Sequence, residues 1–225
     1  MLFVVGTPIG NLEDMSPRAI EALKTADTIL MESPQDSLRL LQVFGIPKKS
    51  VIKYNDANAK QVLPKIREVL QKENVALVTS AGMPGVSDPG FHAVQAAREL
   101  GIEVQVIPGP SAVTSVIALC GIPIYDFTFV AFLSRTEGKL KRMFEEYHNR
   151  KQAMVFFESP FRIQKSMKVL ETIAPGVQVF LAKELTKKFE SSIFGTPKEV
   201  NVWLAEKKEH TKGEFVGVIA FHLVK

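Results

Sequence analysis

The sequence predicts an α/β fold, with a parallel βαβ sheet in its first half and a further α/β region in its second. Three observations carry this. Short apolar runs alternate with stretches of helical apolar spacing. Helix starts are marked by cap and proline signals, as at Ser16-Pro17. Loops rich in glycine and proline recur where apolar runs end, the position at which open α/β sheets bind ligands.

In chain order, strand-like runs are LFVVG, DTILMES, SVIKY, NVALVTS and IEVQVI. The helix opened by Ser16 carries Ala19, Ile20, Leu23 and Ala26 at helical spacing, and further helices are predicted at 37–44, 59–72 and 91–100, the last closed by Gly101. An apolar helix of small residues follows VIPGPSA and stops at Gly121 and Pro123, which reads as the junction region. The second half predicts strands near FTFVAF, QAMVFFES, VQVFLAK, ESSIFG and EFVGVIAFHL, with helices at 137–149, 162–173 and 197–208. No internal repeat or low-complexity tract interrupts the pattern.

At 225 residues the chain suits one large α/β domain or two compact ones. Nearly half the residues are apolar and the charged share is ordinary, which excludes a disordered chain or a coiled coil and predicts a soluble globular protein. The one cysteine, Cys120, lies in an apolar stretch with no second Cys or His nearby, so disulfides and thiolate metal sites are excluded and no metal is expected. MLFVVG lacks a basic leader, and no segment approaches the ~20 apolar residues of a membrane span, so cytoplasm is expected.

Charge is uneven. Residues 1–110 carry 11 Lys/Arg against 12 Asp/Glu, and residues 111–225 carry 17 against 12. The basic stretch runs from Arg135 through Arg162 to Lys168, with a second group at Lys183, Lys187 and Lys188. Such a face suits a phosphate-rich partner through counterion release, and it equally describes solvated helix surfaces.

Four motifs stand at strand ends: GTPIGN (6–11), the loop 80–90, PGPSA (108–112) and FFESPFR (156–162). The first is neither the dinucleotide fingerprint nor a phosphate-cradling P-loop. Loops of Gly, Pro, Ser and Ala present backbone groups rather than charges, which suits a neutral adenosine with a small zwitterionic tail. A helix starting near Ser111 could hold a carboxylate at its N-terminus. Within the second motif, the glycines allow close approach and the prolines stiffen the path. The plainer alternative is a crossover turn before a helix at Phe91.

GTPIGN, AGMPGVSDPG, PGPSA, FFESPFR, AKELTKKFE and KGEF, in this order and spacing, resemble the tetrapyrrole-methylase superfamily of S-adenosylmethionine enzymes. Within it the chain is similar to the branch that methylates small-subunit ribosomal RNA. The resemblance implies an N-terminal parallel-sheet α/β domain (1–112), a C-terminal mixed-sheet α/β domain (113–225), an S-adenosylmethionine cleft between them, and a homodimer. For the branch it implies methylation of a cytidine ribose 2′-hydroxyl, with small-subunit ribosomal RNA or the ribosomal subunit as partner. It places Pro8, Ile9, Gly82, Met83, Val86, Ser111 and Ala112 around the cofactor, with Phe157 and Leu185 near its adenine. Phe157 also reads as ordinary core and Ser111 as a helix cap.

Attack by a ribose oxygen on a sulfonium methyl needs alignment and a proton acceptor. Acidic residues at motif ends are Asp14, Glu32, Asp88, Glu158 and Glu184. Asp88 can brace its own turn. Glu158 and Glu184 are the catalytic candidates in the basic half, each also able to pair with a nearby Arg162 or Lys183; Arg162, Lys183, Lys187 and Lys188 are the candidates for binding substrate.

The chain departs from the branch at Ser33-Pro34-Gln35, where Asp-Thr-Arg is usual after the glutamate, at Ser80, where aspartate is usual, and at Tyr54-Asn55-Asp56-Ala57-Asn58, in place of a histidine-bearing segment. It also stops without the C-terminal extension of some members. Two alternatives share the fold: a tetrapyrrole or other small-molecule methylase, and a catalytically silent RNA-binding homologue.

Overall fold

The computed structural model describes residues 1–223. The chain forms two compact units, one of residues Met1–Ser111 and one from Ala112 onward.

The first unit is built on five parallel strands, β1 (Leu2–Val5), β2 (Thr28–Met31), β3 (Ser50–Lys53), β4 (Val75–Val78) and β5 (Val104–Ile107), in the order β3-β2-β4-β1-β5. Helices α1 (Pro17–Thr25), α2 (Pro34–Val43), α3 (Ala59–Lys72) and α4 (Phe91–Glu99) make the crossovers. Side chains alternate across a strand, so each strand feeds two cores. Phe3, Val5, Ile29, Met31, Ala76 and Val78 pack with Ala19, Ala22 and Leu23 of α1 on one face. On the other, Leu2, Leu30 and Leu77 pack with Ile66 and Leu70 of α3 and Ala93, Ala96 and Ala97 of α4. Burial on both faces explains why these strands read as continuous apolar runs. The chain leaves β1 over one face through α1 and leaves its neighbour β4 over the other through α4. Adjacent strands whose connections diverge in this way open a crevice at their carboxyl ends.

The caps behave as the sequence predicts at α1, where Ser16 Oγ accepts the Ala19 N–H at 3.1 Å and Pro17 opens the helix. Helix α2 begins three residues earlier than the expected 37, because Pro34 supplies the preset φ of a first helical residue. Gly101, at φ +68°, closes the turn after α4 as expected.

The second unit holds α5 (Ala112–Leu119), then β6 (Phe127–Phe132), α6 (Glu137–Arg150), β7 (Ala153–Glu158), α7 (Ile163–Ile173), β8 (Gln178–Lys183), β9 (Ser191–Gly195), α8 (Pro197–Glu206) and β10 (Phe215–Ala220). The sheet is mixed, in the order β6-β7-β10-β8-β9, with only β6 and β7 parallel. Leu140, Phe144, Ile163, Met167, Leu170, Val200 and Leu204 from α6, α7 and α8 cover one face through Met154, Phe156, Leu181, Phe215 and Ile219. Helix α5 packs against β10 and β7. The apolar helix that reads as a junction in the sequence is therefore part of this unit's packing.

The strand expected over residues 214–223 ends at Ala220. Its partners there, Ala153 and Gln178, are the first residues of β7 and β8, so the ladder has nothing further to pair. Phe221 turns instead into the core beside Phe144 and His148.

Candidate active site

In the first unit, three of the motifs meet. They leave the carboxyl ends of β4, β1 and β5, which are neighbours in the sheet. Thr7 N–H donates to the Gly82 carbonyl at 2.9 Å and Gly82 N–H to the Thr7 carbonyl at 3.1 Å, a two-bond bridge between GTPIGN and the loop 80–90. Gly6 N–H donates to the Ile107 carbonyl at 3.0 Å, tying in the start of PGPSA.

Glycine is required here by contact. A Cβ on Gly6 would stand 2.6 Å from Met83 Sδ and 2.7 Å from Gly109 Cα, and one on Gly109 would lie 2.8–2.9 Å from Gly6 backbone atoms. The two glycines thus press backbone on backbone, a reading the sequence does not supply for Gly109. Gly82 needs its glycine for conformation, with φ +74°, while Ile9 Cγ2 and the Pro110 carbonyl lie 3.4 and 3.6 Å from its Cβ position. Pro8, Ile9, Gly82 and Met83 are therefore gathered around the 108–110 segment. Val86 stands farther out on the exposed part of its loop, next to Ser87 in a left-handed conformation at φ +65°. Ser111 and Ala112 are half-buried, and the helix begins at Ala112, one residue after the expected Ser111.

Two departures noted in the sequence acquire partners. Ser80 donates from Oγ and from its backbone N–H to Glu32 Oε2, at 2.8 and 3.1 Å. Glu32 directly follows β2, the neighbour of β4, and so anchors the root of the loop. Tyr54 is buried at the end of β3, where burial pushes its ionisation above the ordinary value while backbone hydrogen bonds from Ala93, His92 and Gly90 pull the other way. Helix α4 has no side-chain cap at Gly90, and the Tyr54 oxygen lies beside the backbone N–H groups that open it. Glu32, an acidic candidate in the sequence, thus supports the loop, and Tyr54, read there only as part of a departure, stands beside the start of α4. The signal available for Tyr54 was a tyrosine closing an apolar run. Asn55 and Asn58 bond reciprocally through their side chains and backbones at 2.8 and 3.0 Å, closing the neighbouring turn.

In the second unit the remaining candidates collect at one edge of the sheet. Phe215 opens β10 and pairs with Glu158 on one side and Lys183 on the other, so β7 and β8 end level with each other. Glu158 is 2% exposed and its carboxylate is fully engaged: Oε1 accepts the Ser159 N–H at 2.7 Å and pairs with Arg162 at 2.5 Å, and Oε2 accepts Ser166 Oγ at 2.7 Å. Arg162 in turn donates to the Leu133 carbonyl at 3.1 Å.

Glu184 adopts φ +54° and accepts the Glu214 N–H at 2.9 Å and Lys187 Nζ at 3.1 Å. Burial raises its pKa, but the Glu214 N–H and the Lys187 ammonium outweigh that and leave it below the ordinary carboxylate range. Lys187 is held above its ordinary value despite burial, because Glu214 and Glu184 both bind it. Lys183 is buried, with no ion pair or side-chain hydrogen bond within the described residues, whereas Lys188 is exposed. Phe157 is half-buried, with Phe129 and Phe132 meeting its ring edge-on at 5.0 and 5.8 Å between centroids, and Leu185 is buried. Among the described residues, no cluster of His, Cys, Asp and Glu could hold a metal ion and no helix is long and apolar enough to cross a membrane.

Residues 1–201 match the Tetrapyrrole (Corrin/Porphyrin) Methylases, and the chain belongs to this family of methyltransferases. Solved structures agree in fold: diphthine synthase superposes with a TM-score of 0.73 at 17% identity, covering 97% of this chain and 88% of that one. The methyltransferase CobJ does so with a TM-score of 0.68 at 18% identity, covering 97% and 93%. The chain is also similar to proteins named ribosomal RNA small subunit methyltransferase I. That of Thermotoga maritima is 38% identical over 92% of this chain and 93% of its own length. That of Coprothermobacter proteolyticus is 38% identical over 97% of each, and that of Bacillus subtilis is 35% identical over 97% of this chain and 74% of its own length.

Proposed function

We propose that the chain transfers the methyl group of S-adenosylmethionine to the 2′-hydroxyl of a cytidine ribose in small-subunit ribosomal RNA, in the cytoplasm and as a homodimer. The observation that carries the reading is near-full-length identity of 35–38% to proteins named for small-subunit ribosomal RNA methylation. The loop cluster supports it physically. Its walls at Pro8, Ile9, Gly82, Met83 and the 108–112 segment offer close-packed backbone and apolar side chains, which suit a nucleoside with a small zwitterionic tail better than a polyphosphate. Val86, Ser111 and Ala112 complete that set, and Phe157 and Leu185 supply apolar surface for adenine.

When bound, the sulfonium supplies the activated methyl group. The chain's own task is then alignment of the acceptor oxygen and exclusion of water. Glu158 holds Arg162 and the Ser159–Arg162 turn in place, and Glu184 holds Lys187, so both carboxylates act by position. A carboxylate with a depressed pKa is a weak proton acceptor at neutral pH. Arg162 and Lys188 face the RNA phosphates, and Lys183, buried at the end of β8 beside Glu184, adds positive charge beneath them; Lys187 contributes less because Glu184 and Glu214 already pair with it.

The test is methyl transfer from labelled S-adenosylmethionine to small ribosomal subunits and their naked RNA, with the modified nucleotide located by mapping, alongside calorimetry with the donor. Donor binding and a single ribose methylation are expected. Absence of donor binding at millimolar concentration overturns the reading.

A further inference from the structure

The edge of the second unit that holds Glu158 and Lys183 also carries aromatic side chains in water. Phe161 is 95% exposed and Phe189 68% exposed, and Phe132 is more than half exposed. Burial of a phenylalanine side chain is favourable, so each exposed ring forgoes stabilisation that the fold could have taken. Isolated exposed apolar residues are common, but these three all lie at or just beyond the ends of β6, β7 and β8 on one side of the sheet.

Register puts them there. Phe132 pairs with Phe157, one residue before Glu158, because a bulge with Ala131 at φ +55° shifts edge strand β6 and re-aims its end. Phe161 lies in the turn after β7, and Phe189 in the loop after β8. Two strand spacings separate those strands, about 10 Å, which is the rise of roughly three stacked nucleotides.

The loops that present the rings are tied down. Phe161 N–H donates to Ser159 Oγ at 3.3 Å, and its neighbour Arg162 is pinned by Glu158 and the Leu133 carbonyl. In the other loop, Glu190 Oε2 accepts the Thr186 N–H at 2.5 Å, and Glu190 N–H donates to the Lys187 carbonyl at 3.1 Å. The rings are therefore held in water on supported turns. Cations stand among them: Lys188 lies 5.6 Å from the Phe189 ring centroid, Arg135 is exposed on the loop after β6, and Lys212, exposed before β10, pairs with Glu209 at 3.9 Å. Aromatic faces interleaved with cations are what an unpaired nucleic-acid strand needs, bases stacking on rings while phosphates meet ammonium and guanidinium groups. A neutral apolar partner would use the rings but has no need of the interleaved positive charge.

We infer that Phe161 and Phe189 form a base-stacking platform that takes the unpaired RNA strand flanking the methylated nucleotide. This rests on the proposed RNA substrate and adds to it that the strand must be single. Stacking is tolerant of sequence, so the platform selects unpaired RNA over duplex and leaves the choice of nucleotide to other contacts.

The experiment measures polarisation of a labelled unpaired RNA of about 12 nucleotides, a length within the usual single-strand site range, and of the same RNA in a duplex, at fixed salt. The variants are Phe161→Ala, Phe189→Ala, the double variant, and Phe161→Trp. Each alanine is expected to weaken unpaired-strand binding about tenfold and the pair about a hundredfold, with duplex binding unchanged and Phe161→Trp near wild type. Both rings are in solvent, so folding is not at risk. Unpaired-strand affinity within twofold of wild type in the double variant overturns the inference, as does an equal loss on duplex. Loss of self-association by sedimentation with RNA binding intact also overturns it, assigning the rings to an interface between copies. Donor calorimetry on the same preparations separates the two readings: no donor binding by wild type refutes the methyltransferase assignment, while the stacking result stands or falls on the RNA data.

Discussion

Replacing Gly6 by alanine tests whether the loop cluster of the first unit is a close-packed backbone device. The added Cβ would stand 2.7 Å from both Gly109 Cα and N and 2.6 Å from Met83 Sδ. Carbon atoms rest at about 3.5–4.0 Å, so the two loops must part by about 1 Å. The Met83 side chain can swing away, but Gly109 is backbone, two residues from the Ile107 carbonyl that accepts the Gly6 N–H, and can part only by moving the loop. Overpacking of this kind costs typically 1–3 kcal/mol, and a shift near 1 Å in a positioned site can cost about a hundredfold in rate. The control is Gly138→Ala: Gly138 lies in α6 of the second unit, with nothing within 4 Å of its Cβ position, so alanine there should stabilise by about 0.5–1 kcal/mol. Far-UV circular dichroism during urea unfolding follows both units, and the emission of the single tryptophan, Trp203 in α8, follows the second. Gly6→Ala should lower the dichroism midpoint, leave the tryptophan midpoint in place and weaken donor binding in calorimetry. A Gly6→Ala protein with wild-type unfolding and wild-type donor affinity would refute the close-packing argument.

Tyr54→Phe should cost about 1 kcal/mol, the value of one hydroxyl's polar interactions in a buried site, seen in chemical denaturation. Because burial raises the Tyr54 pKa, wild-type stability should hold below the unfolded-state value near 10 and decline as pH rises through the higher folded value, a decline that the variant lacks. Glu158→Ala should destabilise the second unit by about 2 kcal/mol, the scale of hydrogen bonds to a charged group, and Trp203 emission should report it; an unshifted midpoint would show that the Arg162 and Ser166 contacts carry nothing. Glu184 is held below the ordinary carboxylate range, so its contribution is present above the unfolded-state value near 4.3 and is lost as pH falls through the lower folded value. Glu184→Gln should therefore flatten the acid limb of a stability profile, and an unchanged limb would refute the pairing with Lys187 and the Glu214 N–H.

Much of the fold was legible locally. The apolar runs at β1, β2 and β4 announce strands because both faces are buried, and Ser16-Pro17 marks its helix because cap and proline act within one turn. Helix α2 and the end of β10 were displaced from their expected bounds for opposite reasons. One is set by a proline already in the sequence, the other by where β7 and β8 begin, which no local pattern records. At the site, the motifs and their order were legible, but their partners were not. Ser80 looked like the loss of an acid until Glu32 appeared beside it from another strand. Tyr54 reads in the sequence only as part of a replaced segment, whereas in the fold it is buried beside the start of α4.

What the sequence by itself determined is the alternation of strands and helices and the family, because periodicity, caps and ordered motifs are local or collinear properties. The tertiary structure alone decided which backbones touch and which charges are spent. Gly6 meets Gly109, Glu158 is consumed by Arg162 and Ser166, Lys187 is neutralised by Glu184 and Glu214, and the exposed rings follow strands that end at one side of the sheet. The physical reason is that such contacts depend on strand order and register. These bring together residues far apart in the chain, and their energies come from desolvation and close approach, which have no signature in the local sequence.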